Sequence, residues 1–475
     1  MGGIMRKIFQ FLYIITFFTI CIIPTVFFIY GNTNNNEAEN RSREKMPSIV
    51  NKNKLNLHFP SEMESYFSEN FGFRTKLVNI DAQLNYNLLG QSSSPKVIAG
   101  KEGWLFFNET LNDFTGRSLL SKQSLKQIVR TLELMNEYTE SRGSSFYFTI
   151  APNKNSIYPE YMPQRYSLGT LNNYWFLSDM IRYSDIKFID LKAFLLDQKL
   201  KCNEFFYFKT DSHWNNLGTL RSYMYILTKT NNYFKTNIKT PDIYTKENTR
   251  TGDLYRMLFP EGAFKDEDFI YDIPKNYTST KPFHEEDINI VTKLKKEETD
   301  INSGKKLLIF RDSFFNSLIK FVSNDFLEVK YSRQVPYPLD KINDEIVILE
   351  IAERNIPLLT KNAPIMPAPL RNNINLTRYD KLERKDIFFS KDEENEYFHL
   401  YGYYLNESYE SDEVILKFGD NVFEAYPILE EKIKDDLIKK YGDKIINQGF
   451  SLRIPKDAEM DFRDFDVYVR NPYTK

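Results

Sequence analysis

This sequence predicts an α/β domain with a mostly parallel sheet, preceded by a transmembrane helix and followed by a C-terminal β-sandwich. Three observations carry that prediction. Over the middle of the chain, short continuous apolar runs bounded by turn residues alternate with amphipathic helices, as strands buried on both faces do. From about Lys381 onward, strand-like runs are separated by turn signals instead. Finally, IFQFLYIITFFTICIIPTVFFIY, from Ile8 to Tyr30, carries no charge and is long enough to cross a hydrocarbon core of about 30 Å.

That N-terminal run predicts an uncleaved anchor over residues 8–30. A cleaved signal would have a shorter apolar region ending in small residues, and a buried core helix would show a polar face. Arg6 and Lys7 flank one end directly. Arg41, Arg43 and Lys45 follow the other at a distance, diluted by Glu37, Glu39 and Glu44. The closer cluster predicts a single-pass protein of the cell membrane with its N-terminus inside and its bulk extracytoplasmic. Residues 31–53, polar and rich in Asn, read as a tether.

Beyond the tether, residues 54–375 form the predicted α/β domain. Phe59, Met63 and Phe67, then Leu77, Ile80, Leu84 and Leu88, recur at helical spacing. VIAGKEGWLFF (97–107) is strand-like and broken by Gly100 and Gly103. Ser121 to Arg142 predicts an amphipathic helix, with Leu125, Ile128, Val129, Leu132, Met135 and Tyr138 on one face. Strands are predicted for SFYFTIAP (145–152), IKFIDL (186–191), KLLIF (306–310) and EIVILEIA (345–352). Residues 231–304 turn polar and turn-rich and read as an insertion. YFHLYGYYL, DEVILKF, GFSLRIP and FDVYVRN predict the strands of a sandwich over 381–475.

Composition removes several function classes. The chain has 475 residues, with 63 Lys+Arg against 65 Asp+Glu, and this balance argues against a nucleic-acid binder working through a basic face. Aromatic residues make up 15%, too many for a disordered chain. Two cysteines, Cys21 and Cys202, exclude a disulfide scaffold. Four scattered His, without HExxH or paired Cys, predict no metal site. With no Walker A loop, G-x-G-x-x-G or G-x-S-x-G elbow, no cofactor is expected.

The chemistry sits in two short segments. In KTDSHWNNLGT (209–219), Asp211 and His213 are two apart, so the carboxylate can reach one side of the imidazole, fix its tautomer and support the imidazolium. The competing reading is that Asp211 only caps the helix that follows. In KLLIFRDSFFNSLIKF (306–321), a buried strand runs into Arg311-Asp312-Ser313 and then a helix. Ser313 therefore stands at a strand's C-terminal end, where ligands bind in open α/β sheets; capping is again the competitor. Together the two segments supply nucleophile, base and orienting acid, a Ser313–His213–Asp211 set for covalent acyl transfer.

These residues resemble the SGNH-hydrolase-like domain of the alginate O-acetyltransferase family (AlgX/AlgJ type). The matching pieces are FPSEMESYFSENFGFR (59–74), IAGKEGWLFF (98–107), APNKNSIYPEYMP (151–163), TDSHWNNLG (210–218), GDLYRML (252–258), FRDSFF (310–315) and EIVILEIAERNIP (345–357). In that family the D-x-H pair precedes the serine, and Asp211, His213 and Ser313 fall on those positions. The resemblance implies transfer of an acetyl group to hydroxyls of an extracytoplasmic polysaccharide. It also implies a membrane-bound O-acyltransferase partner as acetyl donor. One departure is Arg311, where SGNH enzymes usually carry glycine. A positive φ there would strain an arginine.

Further candidates follow from position. Asn153 and Lys154 come directly after a predicted strand, and Asn153 is a candidate oxyanion donor. Arg354, after the last strand, is placed either to hold substrate or to pair with Glu353. Trp214 beside His213 either lines a sugar subsite or is buried. The sandwich is a candidate carbohydrate-binding domain, its Tyr397, Tyr401, Tyr403 and Tyr404 available for stacking, though such a run more often alternates core and surface. The expected activity is polysaccharide O-acetylation through an acyl-Ser313 intermediate. The alternatives are an acetyl esterase using the same residues with water as acceptor, and a non-catalytic glycan-binding or assembly protein.

Overall fold

The runs without a polar face became the inner strands. The computed structural model describes residues 2–30, 46–51, 54–70, 74–230, 245–273, 275–284, 286–295, 304–406, 410–458 and 460–471. A central sheet of seven strands has the order Lys187–Ile189, Ser145–Ala151, Ile346–Ala352, Lys306–Phe310, Glu328–Ser332, Asn289–Leu294, Tyr277–Ser279. The first five are parallel; the last two join antiparallel. Every residue of Ile346–Ala352 is buried, and its side chains alternate between two layers. Ile346 and Ile348 join Ile309, Tyr331 and Leu220 on one face. Val347 and Leu349 join Phe310, Phe148 and Leu132 on the other. At about 1.5–3 kcal/mol per buried large aliphatic side chain, this two-sided packing is what holds the parallel strands together.

The covering helices follow their apolar faces. Helix Lys122–Ser141 starts where Ser121 caps it, its hydroxyl accepting from the Ser124 amide at 2.9 Å, and the chain turns at Gly143 with φ 78°. Helix Asn216–Thr230 buries Leu217, Leu220, Tyr223, Ile226 and Leu227 on the opposite face. The helical spacing over 59–89 resolves into two helices, Phe59–Asn70 and Arg74–Leu89. Leu77, Ile80, Leu84 and Leu88, which recur at helical spacing, are exposed, and it is Ala82 that packs inward.

The polar stretch read as an insertion is integral to the domain. Residues 231–244, 274, 285 and 296–303 lie outside the described residues. The remainder contributes the last two strands of the sheet and a hairpin, Thr245–Arg250 with Asp266–Ile270, enclosing helix Asp253–Leu258. Half-buried edge strands of this kind need few apolar residues, so a hydropathy reading passes over them.

The C-terminal region is built from two antiparallel sheets. One has the order Tyr379–Lys381, Asp466–Arg470, Val414–Phe418, Asn421–Ala425, and the other Ile387–Glu393, Tyr397–Tyr404, Gly449–Pro455. Leu400, Val414, Leu416, Phe450, Leu452 and Val467 fill the space between them. Of the candidate stacking tyrosines, Tyr397, Tyr401 and Tyr404 are buried, and Tyr403 stacks on Phe388 at 4.8 Å. Polar contacts tie this region to the α/β domain: Arg130 pairs with Glu424 at 2.6 Å, and Gln127 donates to the Ser411 and Asn447 carbonyls.

The uncharged N-terminal run lies within one helix, Gly2–Tyr30, whose described apolar side chains from Ile8 to Val26 are exposed. Among the described residues no helix is long and apolar enough to cross a membrane. The side chains at 2–5, 21, 24, 25 and 27–30 of this helix lie outside that description. The tether falls largely outside it too.

Candidate active site

Two elements remote in sequence meet at the C-terminal edge of the parallel strands. Strand Lys306–Phe310 ends at Arg311, and the chain turns through Asp312 and Ser313 into a 3₁₀ turn, Phe314–Leu318. Asp312 does the capping. Its Oδ1 accepts from the Phe314 amide at 2.9 Å, and its Oδ2 accepts from the Ala352 amide and Asn355. Glu350 beneath it accepts from the Asp312 amide at 3.0 Å. Burial, and then the Asp312 charge, push Glu350 well above the usual carboxylate range. With capping assigned to Asp312, the Ser313 hydroxyl makes no cap bond.

That hydroxyl instead lies 2.9 Å from His213 Nε2. His213 Nδ1 is 2.8 Å from Asp211 Oδ1. Asp211 is fully buried, and its carboxylate also takes the His213 amide, Arg250 Nε at 2.9 Å and the Asp253 amide at 3.1 Å. Burial would raise the Asp211 pKa, but the hydrogen bond from His213, then the His213 and Arg250 charges, hold it far below the usual range. An ionised carboxylate only accepts, so Nδ1 carries the imidazole proton and the Nε2 lone pair faces Ser313. Burial pulls the His213 pKa down, yet Asp211 and then Asp253 outweigh it and the net shift is upward.

The capping reading of Asp211 does not hold, because helix Asn216–Thr230 begins five residues later. Asp253 Oδ2 is 3.7 Å from His213 Nδ1, so Asp211, His213 and Asp253 converge as metal ligands do. Their facing atoms are engaged with one another and with Ser212, whose hydroxyl donates to Asp253.

The remaining candidates divide. Asn153 and Arg354 border a water-sized crevice of about 10 Å³ beside Ser212, with Phe107 and Asn155. Arg354 does not pair with Glu353, which is held by Lys192 at 2.7 Å and the Asn153 amide at 2.8 Å. Its guanidinium lies over the rings of Phe107 and Phe314, 5.6 and 5.3 Å away. Asn153 is buried and turns its amide group toward Asp113 Oδ2 at 3.4 Å. Lys154 also borders the crevice, but its ammonium donates to the carbonyls of Phe208, Lys209 and Asp211 at 2.6–3.1 Å. It buttresses the loop rather than facing a ligand, and burial brings its pKa down to about 8. Trp214 is buried, donating to the Phe314 carbonyl and Ser317, so it lines no sugar subsite. Arg311 is buried with a negative-side φ, since Glu102 is the non-glycine residue with positive φ among the described residues. The expected strain is absent. Its side chain reaches Asn316 and the Asp287 carbonyl. Arg250 and Asp253 escaped the sequence reading; GDLYRML was the one signal pointing there.

Residues 97–266 match the family model described as SGNH hydrolase-like domain, acetyltransferase AlgX. The chain is 26% identical over 166 residues to "Probable alginate O-acetylase AlgJ" of Pseudomonas aeruginosa, covering 34% of this chain and 40% of that protein. It is 23% identical over 165 residues to the Pseudomonas putida protein of the same description, covering 34% and 41%. The match thus spans about two fifths of the length of these relatives. Among solved structures, the O-acetyltransferase domain of Pseudomonas putida AlgJ aligns with 17% identity and a TM-score of 0.37, covering 56% of this chain and 94% of that one.

Proposed function

Starting from a chain that belongs, over residues 97–266, to the AlgX/AlgJ SGNH hydrolase-like alginate O-acetylase family, we propose that it is a membrane-anchored, extracytoplasmic O-acetyltransferase acting on polysaccharide hydroxyls. The observation that carries this reading is the unbroken chain from Asp211 through His213 to the Ser313 hydroxyl. It stands at the C-terminal ends of parallel strands, where α/β sheets bind ligands.

In the mechanism, His213 Nε2 takes the Ser313 proton as Oγ attacks the acyl carbonyl. Asp211 stabilises the imidazolium through Nδ1. Collapse of the intermediate expels the donor's leaving group, which takes the proton from Nε2, and leaves acetyl-Ser313. A sugar hydroxyl then gives its proton to Nε2 and attacks the ester, and the tetrahedral intermediate collapses with return of a proton to Ser313. Arg354, whose guanidinium lies over the ring of Phe314, the residue after Ser313, is the candidate for contact with the acceptor. A membrane-bound O-acyltransferase is the partner that would deliver acetyl groups to the outer face, and the uncharged run Ile8–Tyr30 supports the anchor.

The test uses the full chain in detergent, exposed to an activated acetyl ester and weighed intact, with Ser313→Ala and His213→Ala alongside. An adduct dependent on Ser313, discharged onto an added polysaccharide, is the expected result. Discharge to water at the same rate with and without polysaccharide would make it an esterase. No adduct on a folded protein would overturn the catalytic reading.

A further inference from the structure

Three consecutive residues of the acid–base loop are each gripped by the excursion Thr245–Ile270. Thr210 donates its amide and hydroxyl to Asp266 Oδ2 at 3.0 and 2.6 Å, and its carbonyl accepts from the Tyr255 amide at 3.1 Å. Ser212 donates its amide to Asp253 Oδ1 at 2.7 Å and its hydroxyl to Oδ2. Between them, Asp211 Oδ2 receives Arg250 Nε and the Asp253 amide. The two chains touch closely: a Cβ on Gly252 would come within 2.1 Å of the Thr210 carbonyl oxygen.

The strand carrying Arg250 slips register between Asn248 and Arg250. A bulge of this kind redirects a side chain out of the regular alternation, and here the redirected side chain meets Asp211. Rotation of the Asp211 carboxylate would carry Oδ1 away from both the amide and Nδ1 of His213. Two donors on Oδ2 oppose that rotation.

Resting on the reading of Ser313, His213 and Asp211 as the acylating set, we propose that Thr245–Ile270 is a positioning clamp for the acid–base loop, in which Arg250 fixes the Asp211 carboxylate so that it can hold His213. Arg250 hydrogen-bonds Asp211, not the imidazole or Ser313, and acts through the carboxylate.

The test measures single-turnover acetylation of the full-length, detergent-solubilised protein by an activated acetyl ester, across pH, for wild type, Arg250→Ala, Arg250→Lys and Ser313→Ala. Arg250→Ala is expected to slow acylation about ten- to a hundredfold at an unchanged half-saturating ester concentration. Arg250→Lys restores charge without the planar Nε–H donor and recovers only part of the rate, and added guanidinium ion restores more of it to Arg250→Ala. His213 is also faced by Asp253 and Arg354, which remain. Removing the Arg250 cation should therefore shift the acid limb of the profile upward. A wild-type rate and limb in Arg250→Ala, with Ser313→Ala inert, overturns the clamp and spares the site. So does a lowered melting temperature with unaltered acylation. Acylation surviving in Ser313→Ala overturns the site reading itself. If Arg250→Ala does not fold, Arg250→Lys decides by the same criteria.

Discussion

The described residues hold two Ser–His–carboxylate chains, one in each domain. In the sandwich, His399 Nε2 lies 2.9 Å from Ser451 Oγ and Nδ1 lies 3.1 Å from Glu394 Oε1. These distances nearly repeat those at Ser313, His213 and Asp211. The surroundings differ. Ser451 is fully buried in mid-strand within Gly449–Pro455, and its hydroxyl donates to Glu430 at 2.7 Å, so its proton is already committed away from the imidazole. Glu394 is shared with Arg453, whose other donors reach the Ala363 and Pro364 carbonyls. That network fastens the linker to the sandwich. Ser313 is half-buried, stands where a strand ends, and offers its hydroxyl to the imidazole. Access and the direction of the serine proton, more than interatomic distance, set Ser313 apart from this structural knot.

The sharpest way to break this comparison is to delete each serine. Ser313→Ala should abolish the acetyl adduct, a loss of about a thousandfold or more in rate. Ser451→Ala should acylate like wild type while losing about 1–3 kcal/mol of stability from the unsatisfied buried partners. Intact mass and denaturant unfolding read both. Next in size, Gly252→Ala should lower acylation about a hundredfold by displacing Thr210, with no alteration in the sandwich; turnover and a melting curve would show it.

A third prediction concerns pH. Because the His213 pKa is raised in the folded chain, acylation should fall on the acid side with a midpoint above the unperturbed value of about 6.5. Asp253→Asn removes a charge that raises it, and should move the limb downward in a pH–rate profile. The same shift makes His213 stabilising at pH below its unfolded value, a contribution lost as pH rises through the folded one. Smallest of all at the active site, Arg453→Met should cost about 2 kcal/mol of stability from its charged hydrogen bonds and leave acylation unchanged.

What could be read without coordinates were features written locally. KLLIF and EIVILEIA are strands because no polar face interrupts them, and Asp211, His213 and Ser313, which the fold brings into contact, stand in short segments whose residue types point to one another. Arg250, Asp253 and Asp266 are different: each acts through a contact some 40–60 residues away in the chain, from a polar stretch with no period to follow. Adjacency alone leaves Lys154 facing the site or a turn, and Trp214 at a subsite or in the core; burial decides both, with their donors on carbonyls and Ser317. Sequence leaves open whether the position of Arg311 needs a glycine's backbone, and the turn here does not use one. The exposed Leu77, Ile80, Leu84 and Leu88 show the converse, a clear helical stripe that packing did not use.

The close approach of Gly252 to Thr210 has a consequence for heredity and engineering. A graft that moves the TDSH loop into a related scaffold without residues 250–266 would carry the acid and base but not the donors that aim them. The smallest exchangeable cassette therefore runs from about Phe205 to Ile270, and recombination within it should yield folded chains with idle active sites.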